Sequence, residues 1–291
     1  MTVHCSPFAG SHDPLLIADA QVHIWGANTP ERPWPARHKA HRDVPIDQDE
    51  LLREMNAAGV DRVVIVPPSW EGDRNDLALA AARAHPGRFA VMGRLDAERP
   101  EARGQLATWR AQPGMLGLRF TFHRPGLREP LTEGRIDWVW REAEKQGIPI
   151  MVLVSHAMVH LIDGIAERHP RLKLVMDHCA LTSGEKGEEA FREFDKLLVI
   201  AKRPNVAVKV SALPCWAPDA YPYRWLHPYI RKVYDAFGAR RMFWGSDLSR
   251  LPCSYRQCVT LFTEEIPWLT AEDKEWIMGR GLCEWLGWKI Q

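Results

Sequence analysis

Polar side chains suited to acid–base chemistry and metal ligation stand at the ends of apolar stretches throughout this 291-residue chain. In chain order they are Asp19, Gln21, His23, Arg119, Ser155, His156, Asp177, His178, Lys209, Ser211 and Asp247. Histidine nitrogens and an aspartate oxygen suit Zn²⁺, which lowers the pKa of bound water to about 7 and polarises a carbonyl. An arginine offers a planar fork for a carboxylate. Together these residue types predict hydrolysis of an ester, lactone or amide that carries an anionic group.

The elements that must position these residues are eight apolar or β-branched stretches, each predicted to be a β-strand. They cover residues 17–25, 62–67, 89–95, 115–122, 149–155, 173–178, 206–213 and 242–248. Near-continuous apolar runs such as VVIV and IMVLV are typical of parallel strands covered on both faces. Amphipathic segments between them predict helices, one capped by Asp47 and ended by Gly59, and another ended by Gly147.

Eight strand–helix units without a composition break predict a single α/β domain, a (β/α)8 TIM barrel over residues 16–291 that follows an N-terminal tail at 1–15. A doubly wound open sheet is the alternative, but the glycine-rich phosphate turn expected after an early strand is missing from this sequence. In a barrel the strands end at one face, so the polar residues should converge there. Period-two alternation further predicts that Asp19, Gln21 and His23 share one side of the first strand.

The longest irregular connection, at 26–46, follows the first strand and is predicted to form either a lid over the site or a solvated rim. Its basic and aromatic side chains are Arg32, Trp34, Arg37, His38, His41 and Arg42. The chain contains 13 Trp, of which Trp25, Trp34, Trp70, Trp216 and Trp244 fall near the predicted catalytic face. These five predict a flat, apolar-walled pocket for a ring-shaped substrate, and the others are expected to pack against the barrel.

Composition limits the class of partner and the compartment. The 38 basic and 37 acidic side chains leave a net charge of +1, which argues against a nucleic-acid or polybasic membrane partner. Neither a membrane-spanning stretch nor an N-terminal signal pattern is visible, so we expect a cytoplasmic protein.

The six cysteines form no CxxC pair and are interpreted as reduced thiols, with Cys179 the one candidate nucleophile. A small-molecule substrate is expected, and the C-terminal segment EWIMGRGLCEWLGW is either a closing helix or a contact in a homo-oligomer.

Five motifs in order carry a resemblance to a known family. They are DAQVHIW on strand one, GLR on strand four, MDH on strand six, VKVS on strand seven and WGSD on strand eight. This order resembles the amidohydrolase superfamily over residues 16–285. Within it, the sequence is similar to the amidohydrolase-related group that includes 2-pyrone-4,6-dicarboxylate lactonase, sugar-acid lactonases and 4-sulfomuconolactone hydrolase. The resemblance implies a (β/α)8 barrel and a hydrolase.

The resemblance also implies metal ligands from a strand-one H-x-H pair, a strand-six His and the strand-eight Asp. These positions are Gln21 with His23, then His178 and Asp247. Gln21 replaces the first His, and because glutamine is a poor zinc ligand a two-metal centre is not expected. We therefore expect one divalent ion, Zn or Mn, held by His23, His178 and Asp247, or no metal at all. His156 is a possible replacement ligand.

Three functions follow from these residues. The first is hydrolysis of a small lactone or cyclic ester, with Asp247 activating water while His178 and His23 stabilise the carbonyl oxygen. The second is metal-dependent, non-oxidative decarboxylation of an aromatic or muconate-type acid. The third is ligand binding without catalysis. The predicted substrate contacts are Gln21, Trp25, Trp34, Arg119, Ser155, His156 and Lys209.

Overall fold

A computed structural model describes residues 15–35, 39–182 and 184–289 as one barrel. Its eight strands are parallel and are hydrogen-bonded to one another in chain order. They are β1 (Ala18–Val22), β2 (Arg62–Ile65), β3 (Phe89–Gly93), β4 (Met115–Thr121), β5 (Ile150–Leu153), β6 (Leu174–Met176), β7 (Val206–Ser211) and β8 (Met242–Gly245). Each lies within a predicted stretch, so the predicted (β/α)8 barrel is confirmed. The predicted tail lies outside the described residues except for Leu15.

Helices connect the strands and cover the outside of the barrel. They are α1 (Gln48–Ala58), α2 (Asp76–Ala84), α3 (Ala102–Ala107), α4 (Glu129–Thr132), α5 (Asp137–Gln146), α6 (Val159–Arg168), α7 (Gly187–Phe191), α8 (Asp195–Leu198), α9 (His227–Phe237), α10 (Tyr255–Thr263), α11 (Ala271–Glu275) and α12 (Gly281–Leu286). Asp47 caps α1 by accepting from two backbone N–H groups, and Gly59 ends it at φ 76°. Gly147 ends α5 at φ 63°. These caps confirm the predicted boundaries.

The C-terminal segment closes the amino-terminal end of the barrel. A π-helical turn at Trp276–Arg280 leads into α12. Leu282, Cys283 and Leu286 of α12 are buried in one cluster with small and apolar side chains from the barrel interior, which include Ala18, Val64, Ala90, Met151, Val175, Ala207 and Phe243. This segment is therefore the predicted closing helix. Within the described ranges, no helix is long and apolar enough to cross a bilayer.

Strand β1 departs from the predicted alternation. Its pairing with β2 shifts register between Asp19 and Val22. As a result the Asp19 carboxylate faces outward, towards Ser246 and Tyr255 of the neighbouring elements, while Gln21 and His23 both face the cavity described below. The prediction that all three side chains share one side is wrong for Asp19, because an irregular residue re-aims the side chains that follow it.

Asp19 joins the first and last strands. Its carboxylate is fully buried and accepts from the backbone N–H of Gln21 at 2.8 Å, the backbone N–H of Ser246 at 2.9 Å, the Tyr255 hydroxyl at 2.7 Å and the Ser246 hydroxyl. The backbone N–H of Asp247 donates to the carbonyl of Gln21 at 2.9 Å. These bonds close the barrel between β8 and β1, directly beneath Asp247.

We predict that Asp19→Ala lowers the free energy of unfolding by about 2–5 kcal/mol, because two buried backbone N–H groups lose their acceptor. Urea denaturation measures the change. Tyr255→Phe is the matched control, since it removes one donor to the same carboxylate and should cost only about 1 kcal/mol. Equal losses in the two variants would contradict this role of Asp19.

Candidate active site

A cavity of ≈ 690 Å³ opens at the carboxyl ends of the strands. Its polar walls come from β1, β4, β6 and β8 and from the loops that follow them. The lining side chains that can do chemistry are Gln21, His23, His41, Arg119, His123, Arg124, His178, Asp247 and Arg250. The convergence predicted for a barrel therefore occurs, and this cavity is the candidate active site.

His23 and Asp247 lie together at the base of the cavity. Nδ1 of His23 is 2.6 Å from the carbonyl oxygen of Val66, which can only accept, so this nitrogen carries the proton. The other ring nitrogen, Nε2, lies 3.0 Å from Oδ1 of Asp247. Oδ1 is buried and makes no hydrogen bond with any described residue. Nε2 and Oδ1 thus face each other, and a proton or a metal ion between them would stabilise this arrangement.

His41 completes a group of three possible metal ligands. It reaches the cavity from the first loop, and its Nδ1 lies 2.8 Å from the hydroxyl of Ser249. Ligand atoms of His23, His41 and Asp247 all lie within 4.8 Å of one another. Two histidines and one carboxylate form a donor set that suits zinc, and a histidine ligand commonly donates its other N–H to a carbonyl, as His23 does to Val66. These residues therefore fit one divalent ion.

Backbone strain concentrates at the same place. His178 adopts φ 51° and Asp247 adopts φ 54°, a left-handed region that favours glycine, and Cys179, Ala180 and Ala212 share it. Each of these residues follows β6, β7 or β8. A left-handed non-glycine residue costs of order 1–3 kcal/mol and persists only where the surroundings hold it. The strain lies at two of the three predicted catalytic residues, His178 and Asp247, and such strain is typical of functional sites.

A chain of buried polar groups fixes His178 from below. Asp177 lies 2.7 Å from Nζ of Lys209, and Lys209 donates to Oε1 of Gln21. Because Lys209 can only donate, the Gln21 amide must turn its nitrogen towards Nε2 of His178, 3.2 Å away. Nε2 is then the acceptor, and Nδ1–H of His178 donates to the Ser211 hydroxyl at 2.8 Å. We call this series, from Asp177 to Ser211, the buried relay.

The buried relay explains why His178 is absent from the three-ligand group. Its Nε2 accepts from Gln21 and lies 3.8 Å from Oδ2 of Asp247. Burial lowers the pKa of His178 to about 3, although Asp247 and Asp177 act in the opposite direction, so the imidazole is neutral near pH 7. The predicted ligand set was His23, His178 and Asp247; in the structure the ligand atoms that lie within 4.8 Å of one another belong to His23, His41 and Asp247.

Asp247 is held in its ionised form. Burial alone would raise the pKa of this carboxyl, but the facing His23, His178 and Arg250 lower it well below its usual range. Nη1 of Arg250 lies 3.4 Å from Oδ2. A carboxylate with one oxygen free of hydrogen bonds, at the base of a cavity, is positioned to accept a proton from a water molecule.

Arginines give the cavity a positive wall. Arg119 donates from Nε to Asp177 at 3.1 Å and from Nη1 to Thr121, which fixes its guanidinium beside the cavity. Arg124 and Arg250 line the same space. The side chain of Arg250 also lies over the Trp216 ring, 5.1 Å from its centroid. An anionic ligand is the complement of this wall.

Several predicted contact residues lie away from the cavity. Lys209 is fully buried and acts through Gln21 rather than at the surface of the cavity. Ser155 and His156 line a separate pocket of ≈ 270 Å³, where Nε2 of His156 donates to the carbonyl of Cys179 at 2.9 Å. His156 is therefore not placed to replace a metal ligand. Burial raises the pKa of the Cys179 thiol well above its usual range, which removes it as a nucleophile.

The tryptophans are distributed differently from the prediction. Of the thirteen, all of which lie in the described ranges, only Trp70 lines the cavity. Trp25 is buried against Trp70, with ring centroids 5.4 Å apart, and Trp34 donates to the carbonyl of Gly26. Trp244 points outward and donates to the carbonyl of Cys258. The predicted aromatic pocket is mostly packing behind the site, because β1 and β8 turn these side chains away from it.

Sequence reasoning missed the roles of His41, His123, Arg124 and Arg250 at the cavity. The sequence did carry a signal for His41, because this residue belongs to a loop rich in basic and aromatic residues that was expected at the rim of the site. Arg42 of that loop donates to the carbonyls of Leu248 and Ser249, which holds the loop against the segment after β8. His123, Arg124 and Arg250 have no periodic or motif signal, because loop residues are placed by tertiary contacts.

The fold and this cavity define a (β/α)8 barrel hydrolase with its site at the carboxyl ends of the strands. An amidohydrolase family model matches residues 18–280, and the chain belongs to that family. The resemblance drawn from the five motifs is thereby confirmed.

Two relatives of known activity extend this assignment. The chain is 31% identical over 254 residues to L-fucono-1,5-lactonase of Burkholderia ambifaria, covering 80% of this chain and 81% of that protein. It is 24% identical over 237 residues to 4-sulfomuconolactone hydrolase of Hydrogenophaga intermedia, covering 79% and 73%. An amidohydrolase from Burkholderia multivorans with bound zinc has the same fold, with TM-score 0.79, 22% identity and coverage of 94% of this chain and 99% of its own.

We predict that Gln21→Leu lowers the free energy of unfolding by about 2–4 kcal/mol, because Lys209 loses an acceptor and His178 loses a donor in a buried setting. Chemical denaturation measures the loss. Met151→Leu is the control: it removes only the contact of Lys209 with the Met151 sulfur, and a volume-conserving change should cost less than about 1.5 kcal/mol. A Gln21→Leu protein as stable as this control would argue against the buried relay.

We further predict that His41→Ala weakens Zn²⁺ binding by at least about 10-fold, since it removes one of three ligands. Competition with a chromogenic chelator measures the dissociation constant without any substrate. His123→Ala is the matched control, because His123 lines the cavity but lies outside the ligand group. Zinc affinity lost equally in both variants, or in neither, would rule out this ligand set.

Proposed function

We propose that the protein opens a small anionic lactone by hydrolysis, with Asp247 as the general base. The observation that carries this proposal is the buried, ionised Asp247 carboxylate, which lies beside His23 in a cavity that is also lined by arginines. Both relatives reported above are named for hydrolysis of lactones, which supports the same reaction class. The geometry of the cavity, its charged side chains and the family of the protein thus all favour lactone hydrolysis.

Proton movement can be followed at Asp247. A water molecule beside Oδ1 gives its proton to the carboxylate as its oxygen attacks the lactone carbonyl. When the ring C–O bond breaks, the protonated Asp247 returns that proton to the departing alkoxide. The product is an open-chain hydroxy acid, and the carboxylate is regenerated. No other proton donor is needed, which agrees with a His178 that is neutral.

His178 forms one fixed side of the site next to Asp247. Its ring is fixed by Gln21 and Ser211, so it presents a rigid, uncharged wall 3.8 Å from Oδ2 of Asp247. His23 is fixed in the same way by the carbonyl of Val66. Groups held by such buried hydrogen bonds pay little reorganisation energy during the reaction.

His23, His41 and Asp247 are the residues that would hold a divalent ion, for which we propose zinc or manganese. Such an ion would polarise the lactone carbonyl and lower the pKa of bound water. The bound zinc of the Burkholderia multivorans amidohydrolase supports a zinc-type site in this fold. Gln21 engages His178 in the buried relay, which favours one ion over two.

Substrate recognition is assigned to the arginines. Arg119, Arg124 and Arg250 line the cavity, and guanidinium N–H groups are suitable donors to a carboxylate. Trp70 supplies an apolar face against which a ring can pack. The cavity volume of ≈ 690 Å³ suits a small ring with one or two substituents.

We predict that Asp247→Asn lowers kcat/KM for lactone hydrolysis by about 10²–10⁴-fold, because the amide cannot accept the proton of water. A panel of carboxylated and neutral lactones, monitored by proton release, measures the activity. Asp235→Asn, an exposed helix position paired with Arg231, is the control and should keep full activity. Full activity in the Asp247→Asn variant would contradict this mechanism. Release of CO₂ from aromatic acids, without opening of any lactone, would favour decarboxylation instead.

A further inference from the structure

The backbone just after β6 is strained at three consecutive residues. His178, Cys179 and Ala180 adopt φ values of 51°, 52° and 59°, and no other two neighbouring non-glycine residues in the described ranges share this left-handed region. The region favours glycine, since any other residue brings its Cβ close to the following carbonyl oxygen. We call residues 178–180 the left-handed turn. It persists only if neighbouring groups hold it, and it carries His178 of the candidate active site.

Strand β7 holds one side of the left-handed turn. The Ser211 hydroxyl accepts from Nδ1 of His178 at 2.8 Å. Two residues earlier on the same strand, the carbonyl of Lys209 accepts from the Cys179 thiol at 3.5 Å. The backbone N–H of Leu181 donates to the carbonyl of His178 at 2.9 Å and closes the turn. These contacts fix the side of the turn that faces β7.

His156 holds the turn from the other side. It follows β5, the second strand that neighbours β6, and its Nε2 lies 2.9 Å from the carbonyl oxygen of Cys179. A carbonyl oxygen only accepts, so Nε2 carries the N–H that donates. The side chain of His156 is buried, and its ring packs against the Phe194 ring with centroids 5.8 Å apart. His156 therefore bonds directly to the backbone of the middle residue of the strained turn.

His156 lies outside the large cavity. It lines the separate pocket of ≈ 270 Å³, whereas the left-handed turn enters the large cavity through His178. Without the His156 N–H, the carbonyl of the buried Cys179 loses this donor, and the contacts with β7 must hold the strained turn without it. A turn that relaxes towards ordinary φ values would carry the His178 ring away from Gln21 and Asp247.

We propose that His156 is a positioning residue for the proposed hydrolysis. Its bond to the carbonyl of Cys179 holds the left-handed turn, and this turn places His178 beside Asp247. The inference rests on the proposed function only for its kinetic test, since the placement of the His178 ring can be measured without substrate.

Removal of the ring N–H tests this role. His156→Phe keeps an aromatic ring against Phe194 but has no donor, and it should lower kcat by about 10–100-fold, because a displacement of about 1 Å near the reacting atoms costs this much. KM should change by less than about threefold, since a residue that contacts no substrate does not contribute to its binding. His156→Gln carries an amide N–H at a similar reach and should restore most of the wild-type kcat.

The matched control is His169→Phe. His169 follows α6 at the amino-terminal end of the barrel, where its Nδ1 lies 3.2 Å from Oε2 of Glu144. This variant makes the same replacement far from the left-handed turn, so it should leave kcat unchanged.

Glycine in the turn separates positioning from packing. Ala180→Gly removes the Cβ at φ 59°, so it lowers the cost of the left-handed turn. The double variant His156→Phe/Ala180→Gly should therefore have a kcat at least about threefold higher than that of His156→Phe. If His156 only filled space, glycine at position 180 would give no such rescue.

The tautomer of His178 is the readout without substrate. Proton–nitrogen NMR of protein labelled at its histidines shows which ring nitrogen carries the proton, and His178→Gln assigns the signal. The proton should lie on Nδ1 in the wild type, where Ser211 accepts it. In His156→Phe it should be distributed over both nitrogens, because the displaced ring leaves Ser211.

Three results would overturn the positioning role: a wild-type kcat or tautomer in His156→Phe, equal losses in His156→Phe and His156→Gln, or a double variant no more active than His156→Phe. If His156→Phe does not fold, then His156→Gln and the double variant must fold with the proton on Nδ1, and failure of either contradicts the role. A lactone panel without turnover, together with the expected tautomers, would exclude the reaction and leave the positioning role standing.

Discussion

The site depends on one buried carboxylate, that of Asp177, which pairs with Lys209 at 2.7 Å and with Arg119 at 3.1 Å. An unpaired cation inside the barrel would be costly to desolvate, and the Asp177 carboxylate offsets both positive charges. The two ion pairs position different parts of the site. Lys209 orients Gln21 and through it His178, while Arg119 is held beside the cavity of the candidate active site. Asp177 thus connects the side of the cavity that carries His178 with the side that carries Arg119.

Gln21 links two buried groups of the site through one side chain. Its amide oxygen accepts from Lys209 and its amide nitrogen donates to His178, so each amide atom serves one partner. His41 from the first loop lies close to His23 and Asp247 instead. The loop is therefore part of the site as well as its cover.

The residues that close the barrel and the residues of the candidate active site lie in the same region. The carboxylate of Asp19 closes β8 onto β1 through bonds to the backbone of Gln21 and Ser246, and these are the neighbours of His23 and Asp247. That closure holds Asp247 at φ 54° against its backbone strain. This backbone strain lies at the face of the barrel that carries the candidate active site.

Sequence by itself determined the eight strands, the caps of α1 and α5, the closing helix and the convergence of polar residues, because periodicity and capping act over a few residues. Tertiary structure decided the rest. The outward turn of Asp19 follows from register with β2, and the link of Gln21 to Lys209 joins residues 188 positions apart. The position of His41 beside His23 and Asp247 likewise depends on which distant groups are near. No local pattern encodes such contacts, since packing and charge pairing select them only once the barrel is closed.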